Sequence, residues 1–171
     1  MTGHLHRATA SPIRRARRRK TQSPKIQVIV QSARWRTQPG AENTVKKAIR
    51  AAARAVSTPP AELAIVLGDD SAIRALNRDW RGKNAPTNVL SFPAPVRGRC
   101  LGDLVICPQV LRREARAAGT PERAHWMHLV IHGALHLIGY DHERAADARR
   151  MERREVRLLR ALGVANPYRA A

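Results

Sequence analysis

Long apolar runs are missing from this chain. No stretch approaches the roughly 18–20 residues that a bilayer-spanning helix needs, so a soluble protein without a membrane partner is expected. The basic N-terminus is not followed by an apolar segment, and a secretory leader is not expected either. Cysteine is nearly absent. Cys100 and Cys107 make no disulfide framework, their spacing is no zinc-finger pattern, and they read as ordinary thiols of a reducing cytosol. Acidic residues are scarce too: 32 Lys and Arg stand against 13 Asp and Glu, a formal net charge of +19. The first acidic residue is Glu42, and residues 1–41 hold ten Lys and Arg. The remaining 130 residues carry 22 basic and 13 acidic groups, so both portions favour a polyanion as partner. A general preference for Arg and Ala accounts for some of this. Charge by itself does not separate RNA, DNA and anionic membrane.

Residues 1–24 read as a disordered basic arm, in which Arg14, Arg15, Arg17, Arg18, Arg19 and Lys20 crowd together. Like charges at that density repel one another and bury no core. An electrostatic hook for RNA phosphates is the functional reading. A dispensable extension, a start codon assigned too early and an organelle transit peptide are the alternatives.

From Lys25 the pattern becomes globular, and residues 25–168 read as one domain. Strands are expected at Ile26–Val30, Leu63–Leu67, Asn88–Phe92 and Leu101–Cys107, where short apolar or alternating runs end at turn residues. Helices are expected over Glu42–Val56, from a cap at Asp69 or Asp70 through about Trp80, from Pro108 to Gly119, from Thr120 through about Ile138, and over Glu143–Leu162. Four strands and five helices in this order make an α+β layer fold.

The segment His132-Gly-Ala-Leu-His136-Leu-Ile-Gly139-Tyr-Asp-His142 carries the chemistry. Residues four apart lie on one helix face, so His132 and His136 can bind one ion. Gly139 ends that helix with the left-handed backbone glycine tolerates, and the chain turns back to bring His142 to the same ion. Three neutral imidazoles leave a tetrahedral zinc one open position, the catalytic arrangement. One zinc per chain is expected. The spacing equals that of the metzincin proteases, H-E-x-x-H-x-x-G-x-x-H, except that Gly133 stands where they carry the glutamate that activates water. Ordinary peptide hydrolysis therefore lacks its proton acceptor. His128, one turn before His132, and His125 nearby are packing residues or partners of the site.

The histidine segment resembles the signature of the YbeY family of bacterial rRNA maturation factors. Three upstream blocks resemble that family as well: Leu76-Asn-Arg-Asp-Trp80-Arg81-Gly-Lys83, Pro86-Thr-Asn-Val-Leu-Ser-Phe-Pro93 and Leu101-Gly-Asp103-Leu-Val-Ile-Cys107. So does the ending with Gly163 and Pro167-Tyr168. The resemblance covers about Lys25 to Tyr168. It implies a zinc-dependent, single-strand-specific endoribonuclease of the cytoplasm that acts in small-subunit rRNA 3′ end maturation and ribosome quality control. Its implied partners are precursor rRNA, the small ribosomal subunit and that subunit's assembly factors. It implies a small mixed sheet of about four strands, with a zincin-like helix carrying the metal. The ligands carry over to His132, His136 and His142, and an important arginine carries over to Arg81. Asn84 departs from the acidic residue many members have after the lysine of that block.

RNA cleavage needs a proton acceptor for the attacking oxygen and positive charge for the developing phosphorane. Zinc supplies both a bound water of lowered pKa and a Lewis acid. Arg81 is the candidate for holding the phosphate and stabilising the new charge. Lys83 is the candidate for further phosphate affinity. Asp103, in the middle of an apolar strand, either faces the cleft or serves a cap or a structural hydrogen bond. Two rival readings are a non-catalytic, zinc-stabilised RNA-binding assembly factor and a metallopeptidase, which Gly133 disfavours.

Overall fold

The computed structural model describes residues 25–33, 35, 40–53, 62–95 and 100–169. The elements follow the order β1 (Lys25–Val30), α1 (Ala41–Ala53), β2 (Glu62–Leu67), α2 (Asp70–Arg81), β3 (Val89–Pro93), β4 (Cys100–Ile106), α3 (Pro108–Ala117), α4 (Glu122–Leu137) and α5 (Ala145–Ala161). The strands lie in the order β1-β2-β4-β3. β1, β2 and β4 run parallel and β3 pairs antiparallel with β4, which makes the sheet mixed. The expected α+β architecture is thus observed. Boundaries differ from those read in the sequence by a few residues at most, and the stretch past Ala53 where α1 was expected to continue lies outside the described residues.

Local chemistry sets the ends. Asp69, not Asp70, caps α2: its carboxylate accepts from the Ala72 N–H at 3.1 Å and from the Ser71 hydroxyl at 2.6 Å. That geometry satisfies an otherwise orphaned helix donor. Those two hydrogen bonds hold its pKa below the usual carboxylate value. Asp70 instead accepts from the Cys107 thiol at 2.9 Å. Gly82 takes the left-handed conformation that closes α2 (φ 67°). Pro108 occupies the first turn of α3, where its missing N–H costs nothing.

Alternation along β4 divides the core in two. Leu104 and Ile106 face α1 and α4 and join the larger cluster, with Val45, Ile49, Ile131 and Leu135 among its members. Val105, with Cys107 just past the strand, faces the other way and packs with Ile73, Leu90 and Val110. The sheet is therefore covered on both faces, by α1 and α4 on one and by α2 and the start of α3 on the other. Trp35 belongs to the first cluster, its ring edge-on to Trp126 (centroids 5.2 Å apart) and its indole N–H on the Gly68 carbonyl at 2.8 Å.

α4 lies close on β3 because Gly133 has no side chain. A Cβ there would stand 2.9 Å from Leu104 Cδ2, 3.0 Å from Val89 Cγ2 and 3.2 Å from Ser91 Oγ. The Ser91 hydroxyl donates to the Gly133 carbonyl at 3.1 Å. The position after the first histidine thus faces the sheet and is filled by it. This gives a physical reason, beyond the lost base, why no protease glutamate stands there.

Candidate metal centre

With Gly133 turned to the sheet, α4 presents His132 and His136 on its outer face. The helix ends in a turn: the Gly139 N–H donates to the His136 carbonyl at 3.0 Å and the Tyr140 N–H to the Leu135 carbonyl at 3.0 Å. Gly139 adopts φ 90°, as the sequence led us to expect. The turn returns His142, whose own N–H is held by the Asp141 carboxylate at 2.7 Å. Arg150 of α5 lies over the Tyr140 ring, 5.1 Å from its centroid, and fastens the turn to that helix.

The three histidines meet. One ring nitrogen from each of His132, His136 and His142 lies within 4.8 Å of the others. His132 Nε2 and His136 Nε2 are 3.2 Å apart. A tetrahedral zinc with bonds of about 2.0–2.1 Å has nitrogen–nitrogen edges of roughly 3.3 Å, so the pair already stands at ligand separation. The tautomer fits as well. His132 Nδ1 lies 2.8 Å from Glu155 Oε1 and donates its proton to that carboxylate, leaving Nε2 with its lone pair toward the other two rings. Burial, and after it the neighbouring His132 and His142, depress the His136 pKa, which favours the neutral ring a metal requires. The residues present therefore fit a metal ion.

Glu155 is the functional residue the sequence reading missed. It is fully buried, with 0% of its surface exposed. Besides His132, it accepts from the Tyr168 hydroxyl, and His128 Nε2 lies 3.6 Å from its second oxygen. Burial by itself would raise its pKa. The contacts with His128, His132 and Tyr168 outweigh this and bring it down to about 2. Tyr168 moves the opposite way: burial and the adjacent carboxylate push its hydroxyl well above the usual tyrosine value, so it remains a donor. His128 also contacts the Tyr168 hydroxyl, at 3.2 Å. His128 is thus a partner of the site, whereas His125 pairs with Glu114 at 2.9 Å. A signal for Glu155 does exist in the sequence. It lies on the helical stripe Met151, Glu155, Leu159, whose other two members are apolar.

His132, His142, Met151, Glu155 and Tyr168 border an open cleft of ≈ 380 Å³. Among the described residues no hydrogen bond or ion pair joins Arg81 or Lys83 to the histidines. Both are exposed, Arg81 at the end of α2 and Lys83 two residues on. Asp103 is exposed on β4, in phase with Val105, and so belongs to the face of the sheet opposite α4. Arg14, Arg15, Arg17, Arg18, Arg19 and Lys20 lie outside the described residues. No helix among the described residues is long and apolar enough to cross a membrane.

Known proteins resemble the chain in fold and sequence. The solution structure of TM1509 from Thermotoga maritima superposes with a TM-score of 0.53 at 23% identity, covering 79% of this chain and 87% of that one. The fold is therefore shared. Among curated proteins, the Endoribonuclease YbeY of Rhodopseudomonas palustris strain HaA2 is 46% identical over 159 residues, 85% of this chain and 82% of its own. That of a Bradyrhizobium strain is 47% identical over 156 residues, 85% of this chain and 92% of its own. That of Halorhodospira halophila is 53% identical over 114 residues, 63% of this chain and 74% of its own. The family model described as Endoribonuclease YbeY matches residues 28–163, a span that holds all three histidines and Glu155. On this agreement of fold and sequence, the chain belongs to the YbeY endoribonuclease family.

Proposed function

We propose that this protein is a zinc-dependent endoribonuclease that cuts single-stranded RNA in the cytoplasm, acting in small-subunit rRNA 3′ end maturation and ribosome quality control. Its substrate is precursor rRNA, and it works with the small ribosomal subunit and that subunit's assembly factors. The observation that carries the proposal is the three-histidine cluster, with ring nitrogens within 4.8 Å of one another and bordering an open cleft, in a chain whose relatives are named endoribonucleases. His132, His136 and His142 would hold one zinc. When bound, the ion supplies a Lewis acid for a phosphoryl oxygen and a water of lowered pKa.

The chain's own groups do the rest. The Glu155 carboxylate keeps the His132 proton on Nδ1 and so keeps Nε2 available. Tyr168 and His128 hold Glu155 in place. Arg81, an exposed guanidinium with no carboxylate partner among the described residues, supplies the planar fork for the scissile phosphate and meets the charge that develops on it. Lys83 and the basic arm at residues 1–24, Arg14 to Lys20 above all, add affinity for the rest of the RNA backbone.

The test is single-turnover cleavage of single-stranded precursor rRNA at saturating enzyme, with metal content measured on the same samples. Wild type should carry about one zinc per chain and cleave; His132→Ala should lose both. Arg81→Ala should keep its zinc and lose roughly 10²–10³-fold in rate, the cost of one transition-state donor. Arg81→Lys should rescue poorly, because a point charge does not reproduce the fork. Full-rate cleavage by zinc-loaded Arg81→Ala removes Arg81 from the reaction. Equal residual cleavage in every variant marks a contaminating nuclease and leaves a non-catalytic RNA-binding assembly factor as the reading.

A further inference from the structure

Three tryptophans occur in the chain, and they are placed very differently. Trp35 and Trp126 are 4% and 5% exposed, whereas Trp80 is 71% exposed. Trp80 is not loose. It stands against Phe92 of β3 with ring centroids 5.7 Å apart and planes at 71°, an edge-to-face contact. Such a contact uses at most one face of the indole, so at least one face stays free. Phe92 is itself anchored on the α2 side of the sheet, against the cluster of Ile73, Leu90 and Val105. Gly102 makes room for this end of β3. It has φ 126°, and a Cβ there would fall 2.0 Å from the Phe92 carbonyl oxygen.

The surroundings are cationic. Arg74, Arg78, Arg81 and Lys83 lie on the same helix or in the turn after it, against Asp70 (paired with Arg113), Asp79 and, across the strand pair from Phe92, Asp103. Arg78 is engaged with Asp79 at 2.8 Å and Arg74 with the Asn84 side chain at 2.8 Å. Arg81 and Lys83 have no acidic partner among the described residues. An aromatic face flanked by unneutralised cations suits a chain of flat bases linked by phosphates. A duplex does not suit it, since paired bases are already stacked on one another.

The ledge also stands at the correct end of the molecule. Phe92 pairs with Asp103, near the start of β4. The last turns of α4, through Ala134 and Ile138, meet Leu63 and Leu101 at that same end on the opposite face. A strand of RNA rounding the edge strand β3 would pass from the histidine face to Trp80.

We infer that Trp80, backed by Phe92, is a stacking ledge for an unpaired base of the RNA substrate. Lys83 then holds a phosphate beside that base. This deepens the proposed function and rests on it.

Binding of a short oligouridylate and of heparin, a polyanion without bases, tests the ledge. Trp80 is the only one of the three indoles accessible to a base, so wild-type tryptophan emission should be quenched by oligouridylate. Trp80→Ala should weaken oligouridylate binding roughly 5- to 160-fold, the range that one base on one aromatic face contributes. Its heparin affinity and zinc content should stay at the wild-type level. Trp80→Leu keeps apolar bulk on Phe92 without a π face and should show the same loss, while Trp80→Tyr should keep most of the affinity. Unchanged oligouridylate binding by Trp80→Ala overturns the ledge, and if wild type still cleaves precursor RNA the enzymatic reading survives. Equal losses toward heparin and oligouridylate also overturn it, because the effect is then one of charge or folding. A wild type that neither binds oligouridylate nor cleaves RNA brings down both.

Discussion

At Glu155 a carboxylate has been moved into the protein interior and kept ionised. Taking an isolated carboxylate out of water costs several kcal/mol, so its partners must compensate. They do: His132 and Tyr168 each donate to it and His128 stands close by, and the net result is a pKa of about 2 instead of a raised one. The arrangement has the form of a carboxylate that orients a ligating imidazole and increases its basicity. Glu155→Gln separates charge from shape, because the amide keeps the size and one acceptor. It should bind zinc roughly 10- to 100-fold more weakly than wild type while retaining the wild-type circular dichroism spectrum. Competition against a chromogenic chelator reads the difference. An unaltered affinity would reduce Glu155 to a space-filling role.

Elements show how the site was legible in part. The spacing of His132, His136 and His142 specifies a helix, a break and a return, and the structure supplies each, with Gly139 at the break. Glu155 was not legible in the same way, because α5 is crowded with arginines and acids and one more glutamate resembles a solvated face. Only the apolar neighbours Met151 and Leu159, one turn either side, mark it as inward. The sequence leaves Asp103 open because strand phase decides its face, and that phase is fixed by which residues of β4 meet α4. Gly133 joins the element scale to the chemistry. Gly133→Ala gains up to about 1 kcal/mol of helix propensity. Against that, overpacking costs about 1–3 kcal/mol, and the crowding from Val89 and Leu104 makes it the larger effect. A net loss of about 1 kcal/mol is expected, seen as a Tm lower by a few degrees. Gly133→Glu should be worse, since it adds an unpaired charge to a filled interior. Despite restoring the protease pattern it should show no peptidase activity. A stable Gly133→Glu protein would contradict the close approach of α4 to β3.

Across the whole molecule the positive charge is shared between residues 1–24 and the remainder of the chain. The excess of the full chain is +19, and residues 1–24 contribute Arg7, Arg14, Arg15, Arg17, Arg18, Arg19 and Lys20 to it with no acidic residue. The site needs none of these: its ligands and their partners all fall between His128 and Tyr168. Deleting residues 1–24 should therefore leave zinc content, melting temperature and single-turnover rate at saturating enzyme unchanged. Affinity is another matter. Each phosphate neutralised on a single strand adds about 0.7 to the slope of log affinity against log salt. If the six cations from Arg14 to Lys20 each meet a phosphate, deletion should flatten that slope by roughly 4. The loss of RNA affinity should then be large at low salt and small at high salt. Parallel titrations of full-length and truncated protein across a salt series read both quantities. Coincident lines would mean that the arm touches no RNA and that the folded body supplies the electrostatic attraction alone. A truncated protein with a normal slope but a slower saturated rate would place the arm in the reaction itself.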